Sequence, residues 1–555
     1  MTNRVRSRAG DAEAPAEYGW RAGYLGSAAV GVVAVGLTLG VAELLSALGR
    51  WVGVLGASSS PLVALGQTFI QFTPEWLKEL AIRTFGQHDK DALTAGMLLT
   101  VLIVAIGIGL ILRSSPRAAV TLTGVLLLVA GAAVLTRPGA DVLDLLPLLA
   151  GGASGIAFLI LVARSGLRPA SPDASAAARN ADPDEHVDGA PAEGALSTPA
   201  DRRRFLRLLG GGALLAAAAG GLARLIPSAA QVAESRSRVA LPAPADAQSL
   251  DVDGAALTVA GLTPFVTANA DFYRVDTAYA VPALTTDTWQ LRLHGGVERE
   301  ITLSFADLLA MPAVERMITL TCVSNEVGGK LAGNARWQGV RLADLLDMAG
   351  VQTGFDCVLS TSVDGFTVTT PLAALTDGRD ALLAYAMNGE PLPVEHGFPV
   401  RMVVPGLYGY VSATKWVVDL EVTRFADVTA YWTQRGWSPQ APIKTASRID
   451  VPAGFAKLAP GTVAVAGMAW AQHRGIGAVQ VRIDDGPWQD ATLSGELSVD
   501  TWRQWSFAWP ASEPGLHTIR CRAIDADGAV QTDQVQGVMP DGSTGLDSRQ
   551  VTVTA

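Results

Sequence analysis

The sequence predicts a chain of several domains: an α-helical membrane region of about five spans, an α+β domain in the middle, and an all-β sandwich at the C-terminus. Three observations carry that prediction. The length of 555 residues exceeds what one compact core supports. A mean hydropathy of +0.29 with 17% charged residues is too apolar for a soluble chain, whereas 13 Trp, 30 Pro and 58 Gly do not suit a pure membrane protein. The two characters are also separated, since the long apolar runs end near residue 227 and turn-rich alternating sequence begins near 245. The net charge of -10 argues against nucleic acid as a partner, because a phosphate-binding surface needs an excess of Lys and Arg. Cys322, Cys357 and Cys521 form no CxxC, no CxxCH haem-attachment site and no zinc-like cluster with the six His.

The segment 1–20 reads as a cytoplasmic N-terminus and 21–165 as a four-span membrane region. Apolar stretches at roughly 23–48, 92–112, 118–136 and 142–163 each reach the about 20 residues that cross a bilayer. Arg4, Arg6, Arg8 and Arg21 precede the first, Arg113 and Arg117 join the second to the third, and Arg164 and Arg168 follow the fourth. The positive-inside rule places all of these in the cytoplasm. Residues 58–85 are only amphipathic, interrupted by Glu75, Lys78 and Glu79, and read as an interfacial helix on the outer side. Glu43 is the ionisable residue within a span, expected to snorkel towards the headgroups. No predicted span carries a His, so no membrane haem is predicted.

Residues 166–201 are rich in Ala, Pro and Asp and almost free of aromatic and β-branched side chains, the composition of a disordered cytoplasmic linker. A fifth span comes next, at 202–228. Its start, Arg202-Arg203-Arg204-Phe205-Leu206, resembles the R-R-x-F-L core of a twin-arginine export signal, and the alternative is an ordinary span with a basic flank. Both readings put the chain beyond residue 228 on the extracytoplasmic side of the cell membrane. Twin-arginine export carries proteins already folded around a cofactor, so the resemblance implies a cofactor protein behind it.

From 245 to 430 strands, turns and short helices alternate, and the two units separate around 430–445, which reads as an irregular crossing. From 443 to 555 strands of five to eight residues are separated by Asp-Gly turns, as in TVAVAGMAWA, AVQVRIDDGPWQDA, WRQWSFAWP and GLHTIRCRAIDADG. That spacing predicts an immunoglobulin-like sandwich, a binding or assembly module.

In the middle domain the strand Met317–Thr321 delivers Cys322 into a polar, Gly-rich turn with Ser324, Asn325, Gly328 and Gly329, and a helix begins at Leu342. A thiolate there suits a soft transition metal, and the alternative is a buried structural Cys. The stretches TLTCVSNEVGG, NARWQGVRLADLLDMAG and LLAYAMNGEPLPVEHGFPVRMVVPGLYGYVSATKWVVDLEV closely resemble the molybdopterin domain of the sulfite oxidase family. The tail resembles the Mo-cofactor dimerisation domain that comes after it there, and together the resemblance spans about 265–540.

The resemblance implies a sulfite-oxidase-like fold and a molybdenum–molybdopterin cofactor whose metal is ligated by Cys322, the catalytic thiolate. It assigns pterin binding to Tyr273, Arg274, Asp364, His396, Arg401, Ser412, Thr414 and Lys415. Arg and Lys suit a pterin phosphate, and Asp364 and His396 suit the heterocycle's hydrogen bonds. Asn325, Arg336 and Trp337 are candidate substrate-pocket residues, with helix-cap and core roles as the alternative for Arg336 and Trp337. The family's Arg-Asn-His run is replaced by Val275, Asp276 and Thr277, and its Arg five residues after the metal Cys is replaced by Val327. Its Tyr near the metal has no counterpart in the stretch 431–439. Loss of two cations beside new charges at Glu326 and Asp276 should repel a sulfite oxyanion, each charge counting up to about 4 kcal/mol at about 4 Å and an effective dielectric near 20.

The expectation is therefore a membrane-anchored oxidoreductase performing two-electron oxygen-atom transfer on a small-molecule substrate, with electrons exchanged with a separate cytochrome or quinone-linked protein. Sulfite oxidase or sulfoxide reductase activity proper is the alternative, and a cofactor-free receptor or adhesion protein on the same fold is the alternative of another class. The resemblance also implies a homodimer through the C-terminal domain. Cys357 and Cys521 fall in different predicted units and are expected as buried thiols.

Overall fold

The computed structural model describes residues 24–52, 54–56, 59–74, 77, 84, 89–137, 140–164, 199–225, 228–248, 252, 254–278 and 280–555. The predicted cytoplasmic N-terminus and nearly all of the predicted linker lie outside these residues, as do Glu75, Lys78 and Glu79. The chain divides into two compact units, Met1–Pro227 and Ser228–Ala555.

The first unit is helical: α1 (Tyr24–Trp51), α2 (Pro61–Phe72), α3 (Asp89–Ser114), α4 (Pro116–Leu135), α5 (Leu146–Arg164) and α6 (Pro199–Leu225). Five of its helices are long and apolar enough to cross a membrane. Ser115, with Pro116 at the first helical position, accepts from the Ala118 amide, so the chain breaks sharply between α3 and α4. Small residues let the helices touch backbone to backbone. A Cβ on Gly31 would lie 1.9 Å from the Ala105 carbonyl oxygen, and one on Gly151 would lie 2.2 Å from that of Thr38. These contacts make α1 the axis against which α3 and α5 pack.

Within the stretch 58–85 the described residues form the helix α2, Pro61–Phe72, capped by Ser60. The Glu43 carboxylate accepts from the Ser60 hydroxyl at 2.8 and 2.9 Å and from the Leu62 amide at 3.1 Å. Donors at a helix N-terminus compensate a carboxylate locally.

The second unit begins earlier than the expected 245, with α7 (Ser228–Ser237), where Arg236 donates to the carbonyls of Pro391 and Leu392. Its larger part is α+β. The first sheet runs β1 (Asp246–Ala247), β4 (Val314–Thr321), β5 (Ala332–Arg341), β8 (Leu382–Met387) and β10 (Arg401–Val403). The second runs β3 (Ile301–Ser304), β2 (Gln290–Gly295), β11 (Val417–Thr423), β6 (Cys357–Ser362) and β7 (Thr367–Pro371). The two share one core, with Leu291 and Leu293 from β2, Met317 from β4, Leu383 and Tyr385 from β8, and Leu420 and Val422 from β11. The predicted helix from Leu342 ends at Ala349, closed by Gly350 in the left-handed region at φ 69.

From β12 (Ala446–Val451) onwards the chain is all β, with β13 (Lys457–Leu458), β14 (Gly461–Trp470), β15 (Ile476–Ile483), β16 (Gln489–Asp490), β17 (Thr492–Leu493), β18 (Arg503–Ala511), β19 (Gly515–Asp525) and β20 (Ser548–Val553). They form two sheets of order β12-β14-β18-β17 and β13-β20-β19-β15-β16, and the predicted strands appear as β14, β15, β18 and β19. Both sheets contribute to a single core of Ile449, Val465, Val479, Val481, Trp505, Ile519 and Val551. At the expected crossing around 430–445, Trp437, Ala441 and Ile443 are buried in the larger core beside Met468, Trp470 and Trp502 of the β part. Cys322, Cys357 and Cys521 are free and buried.

Candidate cofactor site

Strand β4 is continuously buried from Met317 to Thr321 and delivers Cys322, whose amide donates to the Leu331 carbonyl at 2.9 Å. The turn after it is held from behind. The Asn325 side-chain oxygen accepts from the Leu331 amide at 2.8 Å, the Asn325 carbonyl accepts from Ser543 at 2.7 Å, and Arg448 donates to the Gly329 carbonyl at 3.0 Å. A Cβ on Gly328 would lie 2.5 Å from the Asp547 carboxylate, so the β part presses directly on this turn. Cys322 is 8% exposed and opens into a cleft. Burial pushes its thiol pKa up, opposed by hydrogen bonds from Ser324. Such a thiol stays protonated until a cation replaces its proton. Among the described residues no three His, Cys, Asp or Glu side chains converge, so a metal at Cys322 would take its other ligands from a non-protein group.

Tyr273, Asp364, His396, Arg401 and Lys415 line the same cleft. The loop between β9 (Glu390–Pro391) and β10 supplies His396, the start of β10 supplies Arg401, and the turn before β11 supplies Lys415. Arg401 is 5% exposed and donates only to neutral carbonyls, those of His396 at 3.1 Å, Met402 at 3.3 Å and Ala413 at 3.4 Å. Its guanidinium stacks on Trp337 at 5.0 Å. Burial lowers its pKa to about 10, so it remains a cation at neutral pH. His396 is pushed down to about 4 by burial and by the charges of Arg401 and Lys415. It is therefore neutral, and because its Nε2 faces the Asn269 carbonyl at 3.2 Å, the proton sits there and Nδ1 is left as an acceptor. Burial also pushes the Asp364 carboxyl up.

Lys415 donates to Asp276 at 3.1 Å and to the Glu395 carbonyl at 3.0 Å. Arg274 donates to the same Asp276 oxygen at 2.9 Å. Beside this polar set stands an aromatic wall of Phe272, Phe366, Tyr410, Trp416, Trp432 and Trp437. Four of these rings are linked in a chain by way of Tyr431, Phe366 to Tyr431 at 5.5 Å, Tyr431 to Trp432 at 5.1 Å, Trp432 to Trp437 at 6.2 Å and Tyr410 to Trp437 at 5.7 Å between ring centres.

Several expected residues lie elsewhere. Ser412 is fully buried and donates to the Leu407 and Tyr408 carbonyls, while Thr414 shares a hydrogen bond with Ser360 at 2.7 Å. Both hydroxyls are spent on shaping the turn. Asn325 ties down the loop rather than lining the cleft. Arg336 and Trp337 are neither pocket walls nor a helix cap. They sit inside β5, where Trp337 is fully buried with its indole N–H on the Ile318 carbonyl at 3.1 Å, and Arg336 lies 3.6 Å from Glu315. Glu326 is exposed and does not line the cleft, and the Asp276 charge is engaged by two cations. Neither acts as the free repulsive charge expected from the sequence. Trp432 and Trp437 line the cleft without being legible in the sequence, because aromatics in an irregular crossing carry no local pattern.

Residues 278–432 match the family model of the oxidoreductase molybdopterin binding domain. Human mitochondrial sulfite oxidase is 33% identical over 306 residues, covering 46% of this chain and 55% of that protein. An uncharacterised oxidoreductase, YuiH of Bacillus subtilis, is 38% identical over 149 residues, 27% of this chain and 72% of that protein. The chain belongs to the sulfite oxidase family of molybdopterin oxidoreductases. It spans about half the length of the sulfite oxidases it matches. The crystal structure of the sulfane dehydrogenase SoxCD from Paracoccus pantotrophus is 22% identical, covers 52% of this chain and 81% of that one, and has a TM-score of 0.46.

The cleft fits the cofactor that the family name implies. An anionic, heterocyclic group needs buried cations that no carboxylate fully neutralises, and Arg401 is such a cation. It needs acceptors and donors for ring nitrogens, which the free Nδ1 of neutral His396 and the Asp364 carboxyl offer. Val275 is half exposed on the cleft, and Val327 lies beside Val535 at Gly545.

Proposed function

We propose that this chain is a membrane-anchored, extracytoplasmic oxidoreductase that binds a single molybdenum through the Cys322 thiolate and carries out two-electron oxygen-atom transfer on a small substrate. The observation that supports it is the convergence of Cys322, His396, Arg401, Lys415 and Asp364 on one cleft. Arg274, Arg401 and Lys415 would hold the pterin phosphate, with His396 and Asp364 on the heterocycle and Ser412 and Thr414 fixing the turn. The molybdenum centre, when bound, supplies the two-electron chemistry. The chain's own residues orient it, exclude water through the aromatic wall and keep a neutral imidazole beside it. Electrons pass to a separate cytochrome or quinone-linked partner. The five apolar helices supply the anchor, and the Arg203-containing start of α6 is consistent with twin-arginine export. The two-sheet C-terminal part is proposed to be the immunoglobulin-like dimerisation domain.

Sulfite oxidation is the second reading, favoured by the identity to sulfite oxidases. The Val275 and Val327 positions weigh against it. A dye-coupled assay on purified full-length protein, with sulfite and with dialkyl sulfoxides, separates the readings. Turnover abolished by Cys322→Ser supports the molybdenum reading, and turnover that survives this substitution would contradict it.

A further inference from the structure

We propose that Asp276 is a positioning residue for the cofactor's anionic group: its carboxylate gathers the Arg274 guanidinium and the Lys415 ammonium into one preformed cationic cradle. This rests on the molybdopterin reading and adds a role that the residue's place in the cleft alone does not reveal.

The geometry is specific. One oxygen of Asp276 takes Arg274 at 2.9 Å and Lys415 at 3.1 Å, and the carboxylate is 5% exposed. Lys415 is 10% exposed and Arg274 40%, so a half-exposed and a buried cation are tied to one internal anion. With Arg401 nearby, three cations meet one engaged carboxylate. That leaves a double positive excess, which matches a phosphate monoester carrying about -1.5 to -2. Without Asp276 the three cations would repel one another in a desolvated space before any anion arrived.

The carboxylate also keeps Lys415 charged. Burial lowers the ammonium pKa to about 8, and the Arg401 and Arg274 charges push the same way, whereas Asp276 raises it by its charge and its hydrogen bond. The other titratable groups facing the cleft are the neutral His396, the Asp364 carboxyl that burial pushes up, Cys322, Tyr273 and Tyr410, and Glu395 contributes its carbonyl. Removing the Asp276 charge should drop the Lys415 pKa below about 8. The ammonium would then be lost at a lower pH, and Arg274 would be free to swing into solvent. An alternative role is simple competition, in which the carboxylate occupies the place of the phosphate. The two make opposite predictions.

The test uses full-length protein purified from a host that makes no molybdopterin, with inorganic phosphate as the probe. Calorimetric titration is compared across pH for wild type, Asp276→Asn and Asp276→Glu. The expected result is phosphate binding weakened roughly tenfold in Asp276→Asn at neutral pH, with its falling limb moved to lower pH and with recovery in Asp276→Glu. A purely structural role would lower the melting temperature without moving the pH limb, and that outcome overturns the proposal. Tighter phosphate binding by Asp276→Asn overturns it in favour of competition. Molybdenum content after expression in a cofactor-competent host is read separately. Wild type that binds phosphate but takes up no molybdenum would count against the molybdopterin reading while leaving the cradle intact, whereas wild type that binds no phosphate would defeat the cradle itself.

Discussion

The cleft has two kinds of wall, and they differ in how their chemistry is held. The polar wall is a set of committed groups. Arg401 is fixed by three carbonyls, Lys415 by Asp276, which also takes Arg274, and His396 by the Asn269 carbonyl. The aromatic wall is held mainly by packing, ring against ring, with the Trp416 indole donating to the Val394 carbonyl at 3.0 Å, and one of its polar atoms is left over. The Trp437 indole N–H is buried with no hydrogen-bond partner among the described residues, whereas the Tyr410 hydroxyl donates to the Ser438 carbonyl at 2.7 Å. The difference suggests a division of labour, in which the committed wall binds what stays and the uncommitted donor meets what comes and goes.

The largest expected effect breaks the polar wall. Arg401→Ala deletes a buried cation, leaves the His396 and Ala413 carbonyls without their donor and removes the stack on Trp337. It should cost about 3 kcal/mol or more of stability and reduce molybdenum content severely, read by metal analysis and by a lower melting temperature. Full metal loading in a destabilised Arg401→Ala protein would show that this wall does not bind the cofactor.

A smaller effect comes from His396. Its folded pKa of about 4 lies below the ordinary value of 6.5. Between these values the unfolded chain takes up a proton that the folded chain refuses, so stability falls as pH drops from about 6.5 towards 4. The full loss is of order 3 kcal/mol. Thermal unfolding of cofactor-free protein, followed by tryptophan fluorescence, should show this slope, and His396→Gln should flatten it. An unchanged slope in the variant would assign the acid sensitivity to other groups.

The smallest effect sharpens the aromatic wall. Trp437→Phe keeps one aromatic ring at the site and removes the rest of the indole together with an N–H that has no partner among the described residues, so stability should fall by about 1–2 kcal/mol. If that donor meets substrate, KM should rise severalfold with little change in kcat. A large drop in melting temperature with unchanged KM would make Trp437 part of the core and nothing more.

The same division explains what is legible in the sequence. Cys322, His396, Arg401 and Lys415 can be read because polar residue types at fixed spacing resemble a family motif, and the strand before Cys322 and the helix from Leu342 show in the local pattern. Ser412 and Thr414 share that motif, but the short turn Gly409–Val411 points their hydroxyls into the protein. Nothing in their residue types distinguishes the two directions. Arg336 and Trp337 mislead because β5 is buried along both faces, so its alternation is invisible. Trp432 and Trp437 cannot be read because aromatics in an irregular segment look the same whether they fill a core or wall a cleft. Asp276 gains its meaning from Lys415, 139 residues away, a separation that no local pattern spans.

Whether Cys322 is the protein's ligand to molybdenum is decided by X-ray absorption at the molybdenum edge on purified full-length protein, wild type against Cys322→Ser. Bound molybdenum with a thiolate sulfur is expected in the wild type, and one sulfur scatterer fewer, or no metal, in the variant. Identical sulfur coordination in the two proteins would contradict the assignment.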